Sequence, residues 1–341
     1  MLSNQAAVRH GRRLSLLAAA LLTPMTALAL VVPQAHAADR SIPVANLFYV
    51  ANPGTNTVSV VNASTNTVTA TVRVGHTPAA VAANPHLPAV YAANESDNTV
   101  SVIDTLTDTV TATIPVGQQP VYLAVNPAGT FVYVADLSGN VSVINTATNT
   151  VTATIAVGGS PDYVAINAAG TDAYISEEAG DAVAVINTAT NTVIQVVGAA
   201  APAFADAIDP IVSGLYLYVA TGSLNTVERI TTTTDQILSV AVGSEDVRLV
   251  MNPAGTVLYV LNTNSYTISV INLSNFTVTA TIKGFQFPRA IAINATGSTL
   301  YVTNEAGTGS VSVVSTATNT ITGTITGFSD PVELTPPVAA Q

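Results

Sequence analysis

The sequence contains no cysteine and no tryptophan, and charged residues are scarce. Asp, Glu, Lys and Arg make up 9% of the 341 residues, against about 25% in an average globular protein. The absence of cysteine excludes a disulfide framework, a cysteine-ligated zinc or iron–sulfur site and c-type haem attachment. Nine basic residues stand against 20 acidic ones, a net charge of −11. No basic footprint for nucleic acid is present, so nucleic acid is not expected as a partner.

The motifs of common enzymes are also missing. Only His76 and His86 follow residue 37, and we interpret them as exposed loop residues at opposite ends of one strand. They therefore supply neither a histidine metal site nor the base of a Ser-His-Asp triad. Gly307-Thr308-Gly309 is interpreted as a hairpin tip rather than a phosphate loop. The sequence predicts no catalytic residue and no cofactor.

The N-terminus has the pattern of an export signal. Three arginines among the first 13 residues precede the uncharged apolar run Leu14–Val32, and Ala35-His36-Ala37 follows. Small residues at these positions are typical of a signal-peptidase site. We predict a cleaved signal peptide over residues 1–37 and a single domain over 38–341, released to the periplasm or outside the cell.

The alternative for this segment is a membrane anchor, because the apolar run is long enough to span a bilayer. Thr23 and Pro24 interrupt it, which favours the signal peptide. After residue 37 no run is long and apolar enough to span, so no membrane insertion is expected. The remaining chain keeps six basic and all 20 acidic residues, a charge of −14.

An internal repeat of 41 to 44 residues runs through the rest of the chain. Its clearest marker is a tyrosine after an apolar residue: Tyr49, Tyr91, Tyr133, Tyr174, Tyr218, Tyr259 and Tyr301. A turn of the Asn-Pro-Ala-Gly-Thr type and a Thr-Ala-Thr-Asn-Thr turn recur at similar intervals. The chain therefore contains seven related units.

Each unit is predicted to form four short strands. In one unit these are Pro120–Val125, Phe131–Ala135, Val141–Ile144 and Thr150–Ile155, separated by turns rich in Asn and Gly. Strict alternation of apolar and polar residues occurs only in the fourth strand, which predicts that it is half exposed. The first strand is apolar on both faces and is expected to be buried on both sides. Four-strand repeats of this length are typical of a β-propeller.

The two ends of the chain each carry part of one unit. Asn46–Val74 supplies strands two to four without a first strand, and Pro331–Pro337 supplies a first strand alone. We therefore predict an all-β, seven-bladed propeller of four-stranded antiparallel blades. The C-terminal strand completes the N-terminal blade and closes the ring.

These units resemble a known repeat family. Tyr-Val-Ala-Asn at 49–52, Tyr-Val-Thr-Asn at 301–304 and Asn-Thr-Val-Ser-Val-Ile-Asp at 98–104 are similar to the YVTN-type, WD40-like seven-bladed propeller repeat. That family occurs in secreted bacterial proteins and archaeal surface-layer proteins. The resemblance implies the propeller fold, but its motif residues are structural, so it implies no catalytic residue.

One end of the predicted ring is rich in acids. Loops that enter each blade share a face of a propeller with loops that join its second and third strands. Eleven of the 20 acids fall on these loops or beside them: Glu95, Asp97, Asp136, Asp162, Glu177, Glu178, Asp181, Glu245, Asp246, Glu305 and Asp330. Such a ring would concentrate cations or basic groups, and calcium is the metal that carboxylate oxygens would suit.

The innermost strands near this face depart from the Ala, Val or Ile of the other repeats. The candidate ligand-binding residues of this channel mouth are Tyr122, Asp162, Tyr163, Phe204, Asp206, Glu245, Asp246, Arg248, Arg289, Asp330 and Glu333. A polar, aromatic-lined concavity of this kind is suited to a ligand. In the alternative interpretation, acids collect on loops because the core excludes them, and the arginines pair with neighbouring acids.

Three functions fit these features. The first is a secreted, non-catalytic binding or scaffold protein that presents an acidic face and a channel to a protein, glycan or small cationic ligand. The second is an enzyme at the channel mouth, like propeller lactonases or lyases, and the third is a cell-envelope or surface-layer component. The lack of catalytic groups favours the first, with the protein expected to be a monomer.

Overall fold

The computed structural model of the chain describes residues 46–177, 182–198, 216–221, 224–244 and 247–338. These residues belong to one compact unit, Ile42–Gln341, and form seven antiparallel sheets, six of four strands and one of three. The sheets are the blades of a β-propeller, as the sequence predicts. The predicted signal peptide lies outside the described residues. Among the described residues, no helix has the length and hydropathy needed to cross a membrane.

The blades follow one another along the chain. Blade 1 contains β1 (Leu47–Asn52), β2 (Thr57–Asn62), β3 (Thr67–Arg73) and the last strand, β27 (Glu333–Leu334). Blade 2 contains β4 (Pro78–Ala83), β5 (Ala89–Asn94), β6 (Thr99–Asp104) and β7 (Thr109–Pro115). Blade 3 contains β8 (Pro120–Val125), β9 (Phe131–Asp136), β10 (Asn140–Asn145) and β11 (Thr150–Ala156). Blade 4 contains β12 (Pro161–Ile166), β13 (Asp172–Glu177), β14 (Ala182–Asn187) and β15 (Thr192–Gly198).

The described part of blade 5 has three strands, β16 (Tyr216–Thr221), β17 (Thr226–Thr231) and β18 (Ile237–Ala241). Blade 6 contains β19 (Val247–Met251), β20 (Val257–Asn262), β21 (Thr267–Asn272) and β22 (Thr277–Lys283). Blade 7 contains β23 (Pro288–Ile293), β24 (Thr299–Asn304), β25 (Ser310–Ser315) and β26 (Thr320–Thr326). Within the described residues, two complete 3₁₀ turns, Pro53–Thr55 and Glu95–Asp97, lie between second and third strands.

The C-terminal strand closes the ring, which confirms the prediction from the split unit. β27 pairs antiparallel with β1 through Val50 with Leu334 and Ala51 with Glu333. Thr335 extends this contact, because its N–H donates to the Tyr49 carbonyl at 2.9 Å and its hydroxyl accepts from the Tyr49 N–H at 3.1 Å. Blade 1 is thus built from both ends of the chain.

The hydrophobic core lies between the blades. Seven clusters of buried apolar residues each join one blade to the next, including blade 7 to blade 1. At that last junction Phe48 and Tyr301 pack with their ring centroids 4.7 Å apart. Each blade therefore depends on its two neighbours for the burial of its apolar faces.

Burial across a blade differs from the sequence prediction in one respect. The outermost strands alternate between exposed and half-buried residues, as predicted. The two middle strands are the ones that are buried on both faces. The innermost strands β8 and β12 are only partly buried, whereas β23 is buried at all positions but Arg289. The prediction for the innermost strand is therefore wrong for β8 and β12, because these strands line the axial space, whereas neighbouring blades cover the middle strands on both sides.

The repeated turn motifs have structural roles. The Asn145 side-chain oxygen accepts the N–H groups of Ala147 and Thr148, and Asn149 has a left-handed φ of 52°. Asparagine tolerates this conformation better than most residues. The repeat tyrosines tie blades together: the Tyr133 hydroxyl donates to the Asn191 side-chain oxygen of the next blade at 3.5 Å.

Candidate functional site

The loops that enter a blade meet the loops between its second and third strands, as predicted. The Gly75 N–H donates to the Asn94 side-chain oxygen at 3.1 Å, and the His76 N–H donates to Asp97 Oδ2 at 2.7 Å. Both loop sets therefore lie on one face of the propeller, which we call the loop face. The turns between first and second strands lie on the opposite face, which we call the turn face.

Four blades carry a buried Asn–Ser pair beneath the loop face. The last residue of the second strand donates its side-chain N–H to a serine of the third strand. The pairs are Asn52–Ser59 at 3.0 Å, Asn94–Ser101 at 2.9 Å, Asn262–Ser269 at 3.1 Å and Asn304–Ser312 at 2.9 Å. These bonds fix the end of each hairpin. In blades 1, 2 and 7 the same asparagine also accepts a backbone N–H from the loop that enters its own blade.

Blades 3 and 4 have carboxylic acids at this position. Asp136 is fully buried, and its Oδ1 accepts from the Ser138 hydroxyl. Among the described residues its Oδ2 has no hydrogen-bond partner, and neither does Oε1 of the buried Glu177. Burial raises the pKa of both carboxyl groups, because a low-polarity environment disfavours the ionised form.

Other acids predicted for the loop face are engaged by neighbours. Asp97 accepts from the backbone and the ring of His76, and these hydrogen bonds hold its pKa below the usual value. Glu305 forms an ion pair with Arg289 at 3.0 Å. These two acids therefore stabilise the loops of this face through a hydrogen bond and an ion pair within the protein.

Four of the predicted site residues occupy one register position of the innermost strands. Each pairs with the fifth residue of the neighbouring six-residue strand: Tyr122 with Ala135, Tyr163 with Ser176, Arg248 with Leu261 and Glu333 with Ala51. Equal register places them at one depth in the ring. Blade 2 has the small residue Ala80 at this position, which leaves room for the larger side chains.

These four side chains meet across the axis, and we call them the axial cluster. The rings of Tyr122 and Tyr163 are stacked, with centroids 4.0 Å apart. The Arg248 guanidinium carbon lies 5.5 Å from the Tyr122 centroid and 5.4 Å from that of Tyr163, within cation–π range. Its Nη2 is 3.7 Å from Glu333 Oε2. Blades 1, 3, 4 and 6 are thereby linked through the centre.

The axial cluster is shielded from water. The side chains of Arg248 and Glu333 are 23% and 8% exposed. Burial raises the pKa of Tyr122 well above its ordinary value, and electrostatic repulsion from Tyr163 and Glu333 raises it further. The Tyr122 hydroxyl is therefore protonated at neutral pH and can donate a hydrogen bond.

A cavity of about 430 Å³ lies against the axial cluster. Its lining is Tyr122, Tyr163, Arg248, Leu249, Val250, Pro253, Ile291, Ala292, Ile293, Asn294, Ala295, Glu333, Leu334, Pro336 and Pro337. The exposed turn residues Pro253 and Ala295 form its rim, so it reaches the turn face. The sequence placed the channel mouth on the loop face, at the other end of the axis.

The C-terminal segment Leu334–Val338 borders a second cavity of about 360 Å³. Four residues line both cavities: Tyr122, Leu334, Pro336 and Pro337. The segment that closes the ring is thus also a wall of the axial space.

The other predicted site residues make contacts with residues outside the axial cluster, lie on an exposed loop, or lie outside the described residues. Asp162 accepts from the Ser176 hydroxyl at 2.5 Å, and Arg289 is held by Glu305. Asp330 is an exposed loop residue with a φ of 52°. Phe204, Asp206, Glu245 and Asp246 lie outside the described residues.

Metal ligands are not concentrated in the part of the chain that the structure describes. No group of three or more His, Asp or Glu side chains there could hold a metal ion. His86 Nε2 lies 2.9 Å from the Pro127 carbonyl, and His76 is engaged with Asp97. The two histidines stand at opposite ends of β4, as predicted.

Comparison with known proteins shows the fold. No family model matches the chain, and no curated protein matches it. Among solved structures, hydrazine synthase from Kuenenia stuttgartiensis has a TM-score of 0.71 at 19% identity, over 81% of this chain and 94% of that one. A functionally unknown protein from Desulfotomaculum acetoxidans has a TM-score of 0.75 at 16% identity, over 85% of this chain and 98% of that one.

A third solved structure is the dihydro-heme d1 dehydrogenase NirN in complex with DHE. Its TM-score is 0.65 at 12% identity, over 87% of this chain and 76% of that one. At these identities the likeness shows the β-propeller fold and carries no activity over.

Proposed function

We propose that this chain is an exported, non-catalytic binding protein of the YVTN-type repeat family, and that its axial cavity holds a small organic ligand. The observation that carries this proposal is the cavity itself. Its volume lies within the roughly 300–1,000 Å³ of small-molecule sites. Its walls are mainly apolar, while charged and aromatic groups converge at one end.

The construction of the cavity supports a binding role. Tyr122, Tyr163 and Arg248 replace the small or aliphatic residues of the repeat, such as Ala80. All three are fixed on paired strands of different blades, so the site is formed before a ligand arrives. Preorganised groups on rigid elements lose little entropy on binding.

The loop face supports a second, larger partner, such as a protein or glycan. Phe287 is 56% exposed there, and its ring centroid is 5.0 Å from that of Tyr266. Both have a left-handed φ, 50° and 56°, which is strained for bulky residues. An exposed aromatic pair in this conformation is the kind of feature that binding surfaces retain.

A rim variant tests the cavity directly. Ala295→Trp should cover the entrance, because Ala295 is exposed on the turn at the rim. The matched control is Ala168→Trp, at the same turn position of blade 4 and away from the cavity. Binding of indole, phenethylamine, 3-phenylpropionate and phenylalanine is measured by saturation-transfer NMR.

We expect at least one of these probes to bind the wild type and the Ala168→Trp control but not Ala295→Trp. If none of them binds, or if Ala295→Trp binds them as well as the control does, the axial cavity is not a ligand site.

A further inference from the structure

Arg229 departs from the repeat at the junction of blades 5 and 6. It lies in the third strand of its blade, β17, and pairs with the repeat tyrosine Tyr218. The six other blades have a buried valine at this register position: Val60, Val102, Val143, Val185, Val270 and Val313. A guanidinium therefore stands where the repeat places an apolar side chain between neighbouring blades.

The facing turn of blade 6 departs from the repeat as well. Phe276 lies between β21 and β22 with a left-handed φ of 53°, and its ring centroid is 4.9 Å from the guanidinium carbon of Arg229. The other blades have asparagine or aspartate in this conformation: Asn66, Asp108, Asn149, Asn191, Asp235 and Asn319. A bulky residue is strained there, and strain of this kind persists where a side chain has a role outside its own turn.

Two rings hold the guanidinium of Arg229, but most of its hydrogen-bond donors are unused. Its carbon also lies 4.8 Å from the centroid of Tyr216. The only hydrogen bond from this side chain to a described residue joins Nη1 to the Leu273 carbonyl at 3.5 Å, beyond the roughly 2.7–3.2 Å of a typical bond. A guanidinium has five N–H donors, and no carboxylate among the described residues forms an ion pair with this one.

A cavity of about 480 Å³ lies against Arg229. Its lining combines Arg229 and Tyr216 of blade 5 with two turns of blade 6, and it shares no lining residue with the axial cavity. Thr256 and Ser274 of these turns are exposed, so the cavity opens on the turn face. The Tyr216 hydroxyl makes no hydrogen bond to a described residue, and it is a second donor at this place.

We propose that this cavity, which we call the junction site, binds the carboxylate of a small organic acid with an apolar body. The carboxylate accepts two parallel N–H bonds from the edge of the Arg229 guanidinium, because the two planar groups match in geometry. The apolar body lies against Val257 and Leu273. This inference goes beyond the proposed function, because the junction site has different residues and a different ligand.

Charge favours a single carboxylate as the ligand. A charged group that is removed from water is costly unless it is paired, and one carboxylate balances the one charge of Arg229. The whole chain has a net charge of −11, so a dianion such as a phosphate ester meets more repulsion and gains no further counter-charge. A cation is repelled by Arg229, and a neutral molecule leaves it unpaired.

The first test compares four molecules that share one ring. Benzoate, benzyl alcohol, benzylamine and phenyl phosphate are titrated into the protein at neutral pH, and binding is followed by NMR. A hydrogen bond between charged groups contributes more than one to a neutral group, so benzoate should bind at least about tenfold more tightly than benzyl alcohol or benzylamine. It should also bind more tightly than phenyl phosphate.

Two variants test whether Arg229 binds the carboxylate. Arg229→Val restores the residue of the six other blades, so it should fold with a Tm no lower than that of the wild type. Arg229→Gln keeps most of the side-chain length without the charge. Both should weaken benzoate at least about tenfold. The matched control is Arg73→Val, which removes a positive charge at the exposed end of β3 and should leave the affinity unchanged.

Ala295→Trp separates the junction site from the axial cavity. Benzoate should bind this variant as tightly as the wild type, and indole should bind Arg229→Val as tightly as the wild type. The junction site is wrong if benzoate binds no more tightly than benzyl alcohol, or if the two Arg229 variants bind benzoate as well as the wild type does. Tighter binding of phenyl phosphate would overturn the carboxylate as the ligand class. Loss of indole binding in Ala295→Trp would still support the proposed function in each of these events.

Discussion

At the scale of single residues, the molecule departs from its own repeat at two kinds of position besides the junction of blades 5 and 6. One is the axial register position, where alanine gives way to Tyr, Arg or Glu. The other is the last residue of the second strand, where asparagine gives way to Asp136 and Glu177. The first kind builds the cavity floor. The second places carboxyl groups where the other blades have a neutral hydrogen-bond donor.

Asp136→Asn should stabilise the protein at neutral pH. Burial raises the folded-state pKa of Asp136, so its contribution to stability is full below the unfolded pKa and is lost as pH rises through the folded pKa. Asparagine can donate to Ser142 as its counterparts do in other blades. One such bond contributes about 1 kcal/mol, so we expect Tm at pH 7 to rise by about 2–4 °C, with little change near pH 3, measured by calorimetry.

Asp97→Asn is a control for which we expect the opposite change in Tm at neutral pH. Hydrogen bonds from His76 lower the pKa of Asp97, so its contribution is present above the unfolded pKa and is lost as pH falls through the folded pKa. This variant should lower Tm at pH 7 and have no effect in strong acid. Equal Tm changes at both pH values for Asp136→Asn would show that ionisation is not the cause.

At the scale of elements, the sequence predicts the strands and turns well because their causes are local. Asn149 and its counterparts mark left-handed turn positions, and the threonines around them mark outer strands. The burial of the innermost strand was predicted wrongly, because β8 and a middle strand such as β9 are similarly apolar. Whether neighbouring blades cover a strand is decided by the closed ring and not by the strand's own residues.

The closing strand β27 should contribute more to stability than its length indicates. Removal of residues 331–341 deletes its hydrogen bonds to β1 and the buried Leu334. At about 1 kcal/mol for each bond and about 2–3 kcal/mol for the leucine, Tm should fall on the order of 10 °C. Thermal unfolding followed by circular dichroism measures this.

The control for this truncation removes only residues 339–341, which leaves β27 and its extension to Val338 in place. Its Tm should match that of the full chain. If both truncations melt together with the full chain, β27 does not close the ring in solution.

At the scale of the whole molecule, the fold was predictable because a period of about 42 residues, repeated seven times, admits few architectures. The candidate site was predictable only in part. Tyr122, Tyr163 and Arg248 each lie four residues before the asparagine of the next turn, and this shared register could have grouped them from sequence alone. The face on which the cavity opens could not be predicted from the sequence. It depends on how side chains from opposite blades meet at the axis and on the path of Pro336 and Pro337.

The central claim is that the axial cavity is a binding site for a small organic ligand. The most direct measurement is a crystal structure of residues 38–341 grown with whichever of the four small-molecule probes binds the wild type. The account predicts density for the ligand in the cavity, against the side chains of the axial cluster. A structure in which the ligand lies elsewhere, or in which side chains fill the axis and leave no cavity, would contradict it.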